Sequence, residues 1–341
     1  MKRPRFLICR IDRVGDVVLS TPLPREIKNS YPESFIAVLV RNYTKDIFIN
    51  NPYVDEIIIY DENKNYSSFL NQVKTLRKIK FEYAFMLLPN ERLNYILFLA
   101  GIKTRIGVGR KLYQFLTFTK FVDRKKYIPL RHEADYNLDM LRKIGIEPQS
   151  LEPEIHLSYD EKKKAQEFRD KIIGNKKFLI GINVTSGNSS PNLSVTEYKR
   201  LFEKLKVFEE IQVISTDLFP PKEIQDLNHI HFPMIGSKLR ESIVKFSALD
   251  LLISSSTGPM HVCSALKVPT ISLFCPLPAC SPKLWGPLGN KSLLILPEKS
   301  YCETKCPGDP KLCNFFGEGG INAEKIINEV INFLKLDTLN R

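Results

Sequence analysis

Short apolar runs recur along the chain, separated by stretches whose apolar residues return at helical spacing. Phe6 to Ile11 has the pattern of a buried strand, and Leu23 to Tyr31 that of a helix entered through Thr21-Pro22 and stopped before Pro32. Phe35 to Val40, Val54 to Tyr60 and Tyr83 to Leu88 are the next strand patterns, with a charged helix at Tyr66 to Ile79. A periodic helix at Ala134 to Ile144 is followed by Glu147-Pro148 and Glu152-Pro153, which break the rhythm twice. A charged helix, Asp160 to Ile173, opens a second alternation with strands at Phe178 to Asn183, Ile211 to Ser215, Leu251 to Ser254 and Thr270 to Phe274, and a closing helix at Asn322 to Leu334. Ser194 with Glu197 is a capping-box signature for a helix running to about Val207.

Alternating strands and helices predict an α/β fold of parallel, doubly wound sheets. At 341 residues the chain exceeds one ordinary core. The expectation is two Rossmann-like domains, 1–155 and 156–341, facing across a cleft with ligands at the carboxyl ends of their strands. No apolar run approaches the roughly 20 residues of a membrane span. The basic start Met1-Lys2-Arg3-Pro4-Arg5 is like that of a signal peptide, but Arg10, Asp12 and Arg13 interrupt the apolar stretch beyond it, so it reads as leading into strand one of a cytoplasmic protein.

Charge adds a class of partner. Fifty Lys and Arg against 38 Asp and Glu give +12, which suits nucleic acid, a phosphorylated substrate or an acidic lipid surface, and equally a Lys-rich solvated surface. No basic stripe interleaved with aromatics supports nucleic acid. Seven cysteines, an odd count, point to thiols in a reducing compartment, with Cys9 and Cys263 in apolar surroundings.

Two stretches carry candidate chemistry. Arg10-Ile11-Asp12-Arg13-Val14-Gly15-Asp16-Val17 follows strand one and enters a helix. It has one glycine where a dinucleotide fingerprint needs three, but it offers Asp16 as a base for an acceptor hydroxyl. Spacing alone favours the plainer reading, an Asp satisfying the first turn of a helix. The second stretch, Ser254-Ser255-Ser256-Thr257-Gly258-Pro259-Met260-His261, ends a buried strand in a hydroxyl-rich turn, with Pro259 at a first helical position. Its amides, the helix dipole, Thr257 and His261 would suit a diphosphate; a capping Ser256 or Thr257 and a packed His261 fit the spacing as well.

Read with Asn51-Pro52-Tyr53-Val54-Asp55-Glu56, Gly101-Ile102-Lys103-Thr104-Arg105-Ile106-Gly107 and Leu284-Trp285-Gly286-Pro287, these stretches resemble the heptosyltransferase family of glycosyltransferases, in order and spacing along nearly the whole chain. The resemblance implies the two-lobed GT-B fold, a nucleotide-diphosphate sugar donor such as ADP-heptose, and inversion at the anomeric carbon without a metal or cofactor. It also implies a lipid-linked, anionic lipopolysaccharide-core acceptor at the inner leaflet of the membrane, and so a peripheral cytoplasmic enzyme, expected to be monomeric. Asp16 matches the family's base; Thr257, Gly258 and His261 match its diphosphate turn, which Ser256 and Pro259 complete. Arg10, Arg13, Gly15 and Arg105 are candidates for the acceptor side.

Two departures stand out. The family usually has Asp where this chain has Ser256, and a basic residue followed by Trp-Pro where this chain runs Ser186-Gly187-Asn188-Ser189-Ser190-Pro191-Asn192. Ser186 to Ser190 can still take phosphate through amides and hydroxyls, or be a plain loop. A different donor sugar, or a catalytically weak binding or assembly protein, is therefore the rival expectation. Cys302, Cys306 and Cys313, with Cys275 and Cys280 upstream, could hold a structural zinc, but they lack the spacing of zinc knuckles and favour a thiol-stabilised loop near the nucleotide. Trp285 could line the nucleotide pocket but is expected to anchor its loop, and Arg131-His132-Glu133 could meet the acceptor but is expected to be a solvated helix start.

Overall fold

A computed structural model describes residues 3–124 and 127–336; Met1 and Lys2 of the basic start lie outside them. The chain divides into two compact units, Met1–His156 and Leu157–Arg341.

The first unit carries strands β1 (Arg5–Cys9), β2 (Phe35–Val40), β3 (Glu56–Ile59), β4 (Tyr83–Met86), β5 (Thr104–Val108) and β6 (Lys120–Val122). Its helices are α1 (Val14–Val18), α2 (Pro22–Ser30), α3 (Tyr66–Ile79), α4 (Glu91–Leu99), α5 (Leu112–Leu116) and α6 (Glu133–Arg142). All pairings are parallel and the order is β3-β2-β1-β4-β5-β6, the dinucleotide-fold order. Its central strands are apolar on both faces because helices cover both. Leu7, Cys9, Ala37 and Met86 join a core with Leu93 and Ile96 of α4, while Phe6 stacks on Tyr83 at 4.8 Å.

The second unit carries β7 (Phe178–Asn183), β8 (Ile211–Ser215), β9 (Leu251–Ser255), β10 (Thr270–Leu273) and β11 (Ser292–Ile295). Its helices are α7 (Tyr159–Ile173), α8 (Val195–Leu205), α9 (Lys222–Gln225), α10 (Leu239–Phe246), α11 (Gly258–Ala265), α12 (Pro282–Trp285), α13 (Lys299–Thr304) and α14 (Ala323–Leu334). This sheet is also parallel, in the order β11-β10-β9-β7-β8. From the other edge that is the flavodoxin-type order. Tyr198 and Phe202 of α8 and Ile326 and Val330 of α14 pack with Ile180, Val213 and Ile253.

Gly181 of β7 shows how tightly the flanking loops pack on the strand: a Cβ there would lie 2.7 Å from side-chain carbons of both Leu249, before β9, and Thr216, after β8. Ser194 caps α8, accepting from the Glu197 amide at 3.3 Å. The expected reciprocal half is replaced: Glu197 accepts instead from the Ala323 amide at 2.9 Å and from Arg200 at 2.8 Å, tying α8 to the start of α14. Among the described residues no helix is long and apolar enough to cross a membrane.

Candidate active site

In each unit the chain order of the strands reverses direction at one point, between β1 and β4 in the first and between β7 and β9 in the second. Helices on either side leave a crevice there, at the carboxyl ends of the strands. Both candidate stretches emerge at these points.

In the first unit Arg10 follows β1 and is only 3% exposed. Its guanidinium donates from Nε to Asp12 Oδ1 at 2.7 Å, from Nη2 to Asp16 Oδ1 at 2.6 Å and from Nη1 to Asn137 Oδ1 at 3.0 Å. Glu133 lies 3.4 Å from Arg10 and receives a second cation, Arg124, at 2.9 Å. Two arginines thus sit among three carboxylates. A buried guanidinium survives only with such pairing. Burial alone would lower the pKa of Arg10, but the charges of Asp12, Asp16 and Glu133 outweigh it and raise it. Burial pushes Asp12 up to about 6, with Arg10 opposing and Asp16 adding.

Asp16 stands in the first turn of α1, but α1 has no side-chain cap and the carboxylate is held by Arg10. The capping alternative is therefore replaced by an ion pair. About a fifth of the Asp16 side chain stays exposed, enough for contact with a hydroxyl. Gly15 precedes it in the same turn, and Arg13 is exposed.

Arg105 does not join this group. It is 8% exposed, donates to the carbonyls of Ile102 and Thr117, and lies over the Phe98 ring at 5.1 Å. Desolvation lowers its pKa. It ties the turn before β5 to the end of α5, which corrects its expected place on the acceptor side. Arg10 likewise spends its donors on carboxylates and backbone, so it positions Asp16 more directly than it meets an anion. Glu133 corrects a third expectation: at 1% exposure it is no solvated helix start. Glu133, Asn137 and Leu141 lie four apart and share the inward face of α6, a spacing visible in the sequence. His132 caps that helix, its Nδ1 accepting from the Ala134 amide at 3.1 Å.

In the second unit β9 runs into Ser256 and the extended Thr257, and α11 begins at Gly258 with Pro259 in its first turn. Thr257 Oγ1 donates to Asn183 Oδ1 at 3.5 Å. The side chain of Thr257 makes no cap bond to the first turn of α11. His261 is 4% exposed, its ring edge-on to Trp285 with centroids 6.4 Å apart. Trp285 donates from Nε1 to Ala279 O at 2.9 Å, which pins its loop.

The sequence did not reveal Asp217. This residue, 1% exposed, follows β8 and accepts from Asn183 Nδ2, the amides of Val184 and Thr185, Thr185 Oγ1 and Ser215 Oγ, all within 3.0 Å. It fixes the loop after β7 and, through Asn183, the Thr257 turn. The polar run Ser215-Thr216-Asp217 ending an apolar strand was the available signal. Ser186 donates to Ser190 O at 3.1 Å across a turn in which Gly187 and Asn188 have φ near +56 and +57. Asn192, in the segment that departs from the family pattern, accepts from Tyr198 at 2.6 Å and Ser255 at 2.7 Å and donates to Val184 O at 2.5 Å. An internal knot therefore occupies this stretch.

Among the described residues no group of three or more His, Cys, Asp or Glu is arranged to hold a metal. Cys302 and Cys306 pack on the core, and Cys313 Sγ lies 3.5 Å from the Tyr301 hydroxyl.

A family model described as glycosyltransferase family 9 (heptosyltransferase) matches residues 70–309. Lipopolysaccharide heptosyltransferase 2 of Escherichia coli is 24% identical over 316 residues, 85% of this chain and 87% of the relative. A glycosyltransferase family 9 structure from Veillonella parvula superposes with a TM-score of 0.80 at 21% identity, covering 97% of both chains. The E. coli ADP-heptose lipopolysaccharide heptosyltransferase II structure gives 0.74 at 18% identity, covering 97% of this chain and 98% of that one. These likenesses establish the GT-B fold, and the family match establishes the class of activity: the chain belongs to glycosyltransferase family 9, the heptosyltransferases, and is a glycosyltransferase.

Proposed function

We propose that the protein transfers a heptose or related sugar from a nucleotide diphosphate, ADP-heptose in the first instance, to a lipopolysaccharide-core acceptor, inverting the anomeric carbon without a metal. The first unit binds the acceptor and the second the donor. The observation that carries the reading is the pairing of a partly exposed Asp16 with a buried Arg10 at the switch point of the first sheet. Asp16 takes the proton of the acceptor hydroxyl as its oxygen bonds to the anomeric carbon. The bond from that carbon to the phosphate oxygen breaks, its electron pair leaving with the nucleotide diphosphate. The amides of Thr257, Gly258 and Met260, the side chains of Thr257 and His261, and Ser186 and Ser256 meet that charge, and the dipole of α11 does work a metal would otherwise do.

The acceptor is lipid-linked and anionic, so the protein works at the cytoplasmic face of the inner membrane as a monomer. The names of relatives support this choice of donor: one solved neighbour, the E. coli heptosyltransferase WaaC, is described with ADP, and again with ADP-2-deoxy-2-fluoro heptose. Release of nucleoside diphosphate from a panel of nucleotide sugars, with truncated core oligosaccharide as acceptor, tests the proposal. ADP-heptose should give the highest kcat/KM, and turnover with none of the panel would refute it. One observation favours a second reading with another donor sugar: Ser256 and the Asn192 knot stand where the resemblance led us to expect an acid and a base. Preference for a different nucleotide sugar in the same panel would select it.

A further inference from the structure

The segment from Arg110 to Phe121 is built inside out. Its uncharged polar side chains Gln114, Thr117 and Thr119 point inward. Gln114, 1% exposed, donates to Val108 O at 3.2 Å and accepts from the Lys111 amide at 3.0 Å. Thr117 and Thr119 share the buried Asn94, which donates to Thr117 Oγ1 at 2.7 Å and accepts from Thr119 Oγ1 at 3.0 Å. The apolar side chains point outward: Leu112 is 74% exposed, Phe115 80%, Leu116 56% and Phe118 83%. A surface helix normally does the reverse.

Backbone geometry reinforces the point. After α5 the Thr119 amide donates to Gln114 O at 2.8 Å and the Phe118 amide to Phe115 O at 3.1 Å, a Schellman motif that puts Phe118 at the left-handed position with φ +54. Glycine is the residue this position favours, since a Cβ is strained there. The Phe118 side chain held in that conformation lies in water rather than in the core.

Cations frame the patch. Arg110, Lys111, Lys120 and Lys143 line a groove of about 950 Å³ with Phe115 and Phe118, and the Arg110 guanidinium lies 4.9 Å from the centre of the Phe121 ring. Residues 109–121 contain no Asp or Glu; the nearest acid along the chain, Asp123, pairs with Arg110 at 3.2 Å.

We infer that this face is a docking surface for an anionic lipid bilayer, with Leu112, Phe115, Leu116 and Phe118 entering the interface and Arg110, Lys111, Lys120 and Lys143 meeting lipid phosphates. Exposed apolar anchors rimmed by cations are the chemistry such a surface selects, each part too weak alone. The site is also well placed. The patch leaves the carboxyl end of β5, two strand spacings or about 10 Å from β1, whose carboxyl end leads to Asp16 in the same sheet. The inference rests on the lipid-linked acceptor for its purpose, but not for its test.

That test is co-sedimentation of the full chain with vesicles of phosphatidylcholine alone or of equimolar phosphatidylcholine and phosphatidylglycerol, with no donor or acceptor present, so it is independent of transfer. Binding is expected to the anionic vesicles only. The Phe115→Ser/Phe118→Gly double variant should lose it by about tenfold or more. The Lys111→Glu/Lys120→Glu double variant should lose it as well. Because Phe115 and Phe118 are both largely exposed, the Phe115→Ser/Phe118→Gly variant should melt close to the parent, so that its loss of binding is not loss of fold. Equal binding to both vesicle types, undiminished binding by the aromatic variant, or a wild-type dimer that the aromatic variant dissolves to monomer would each overturn the inference.

Discussion

Arg10 donates from Nη2 to Asp16 Oδ1 at 2.6 Å while spending its other nitrogens on Asp12, Asn137 and the Leu87 carbonyl. The guanidinium is a fixed fork, so the position of the Asp16 carboxylate is set by β1, α6 and the loop after β4 together. A base must lie within hydrogen-bond reach of the proton it removes, and geometry comes before pKa in deciding whether it can act.

Arg10→Ala should destabilise the protein by about 3–5 kcal/mol, because it leaves Asp12, Asp16 and Glu133 facing one another with Arg124 as the remaining cation of the cluster. Arg10→Lys keeps the charge but loses the fork. It should fold, lower kcat by about tenfold and leave the donor KM nearly unchanged. Urea denaturation and steady-state kinetics of the two variants check both statements; a tenfold rise in donor KM with unchanged kcat would count against a positioning role.

Asp217→Asn should act on the other substrate. Its new amide group would oppose some of the five donors that now converge on the carboxylate, at a cost of about 2–4 kcal/mol. The loop after β7 and the Thr257 turn would loosen, so donor KM should rise more than acceptor KM. Thermal melts with kinetics varied in each substrate measure this.

Glu161 gives a pH dependence. Hydrogen bonding to Arg240 holds its carboxyl down to about 2, against an ordinary value of 4.5. A depressed carboxyl stabilises the fold fully above its unfolded value, so the contribution is present above about pH 4.5 and fades as pH falls toward 2. Because this group is partly solvated, about 1–2 kcal/mol is expected. Stability curves of the parent and Glu161→Gln should converge as the pH drops through that window and separate above it.

The strands buried on both faces were legible because apolar runs such as Phe35–Val40 and Phe178–Asn183 have no other use. Strands β5, β6 and β11 were not, since each is short and carries polar residues such as Arg105, Lys120 and Ser292. The carboxylate of the first stretch could be picked out as a candidate, but its partners could not: Glu133 and Asn137 reach Arg10 from more than 120 residues away in the chain. Arg105 misled for the converse reason, since a cation in a strand motif gives no sign that carbonyls of Ile102 and Thr117 will claim it.

The central claim is that Asp16 removes the acceptor proton. The most direct measurement is kcat for nucleoside diphosphate release by Asp16→Asn, with folding checked by thermal melt. Asn is nearly isosteric and still accepts from Arg10, but it cannot take a proton. The account predicts a loss of about 10²–10⁴ in kcat with donor KM nearly unchanged. Turnover by Asp16→Asn within a few-fold of the parent would contradict it.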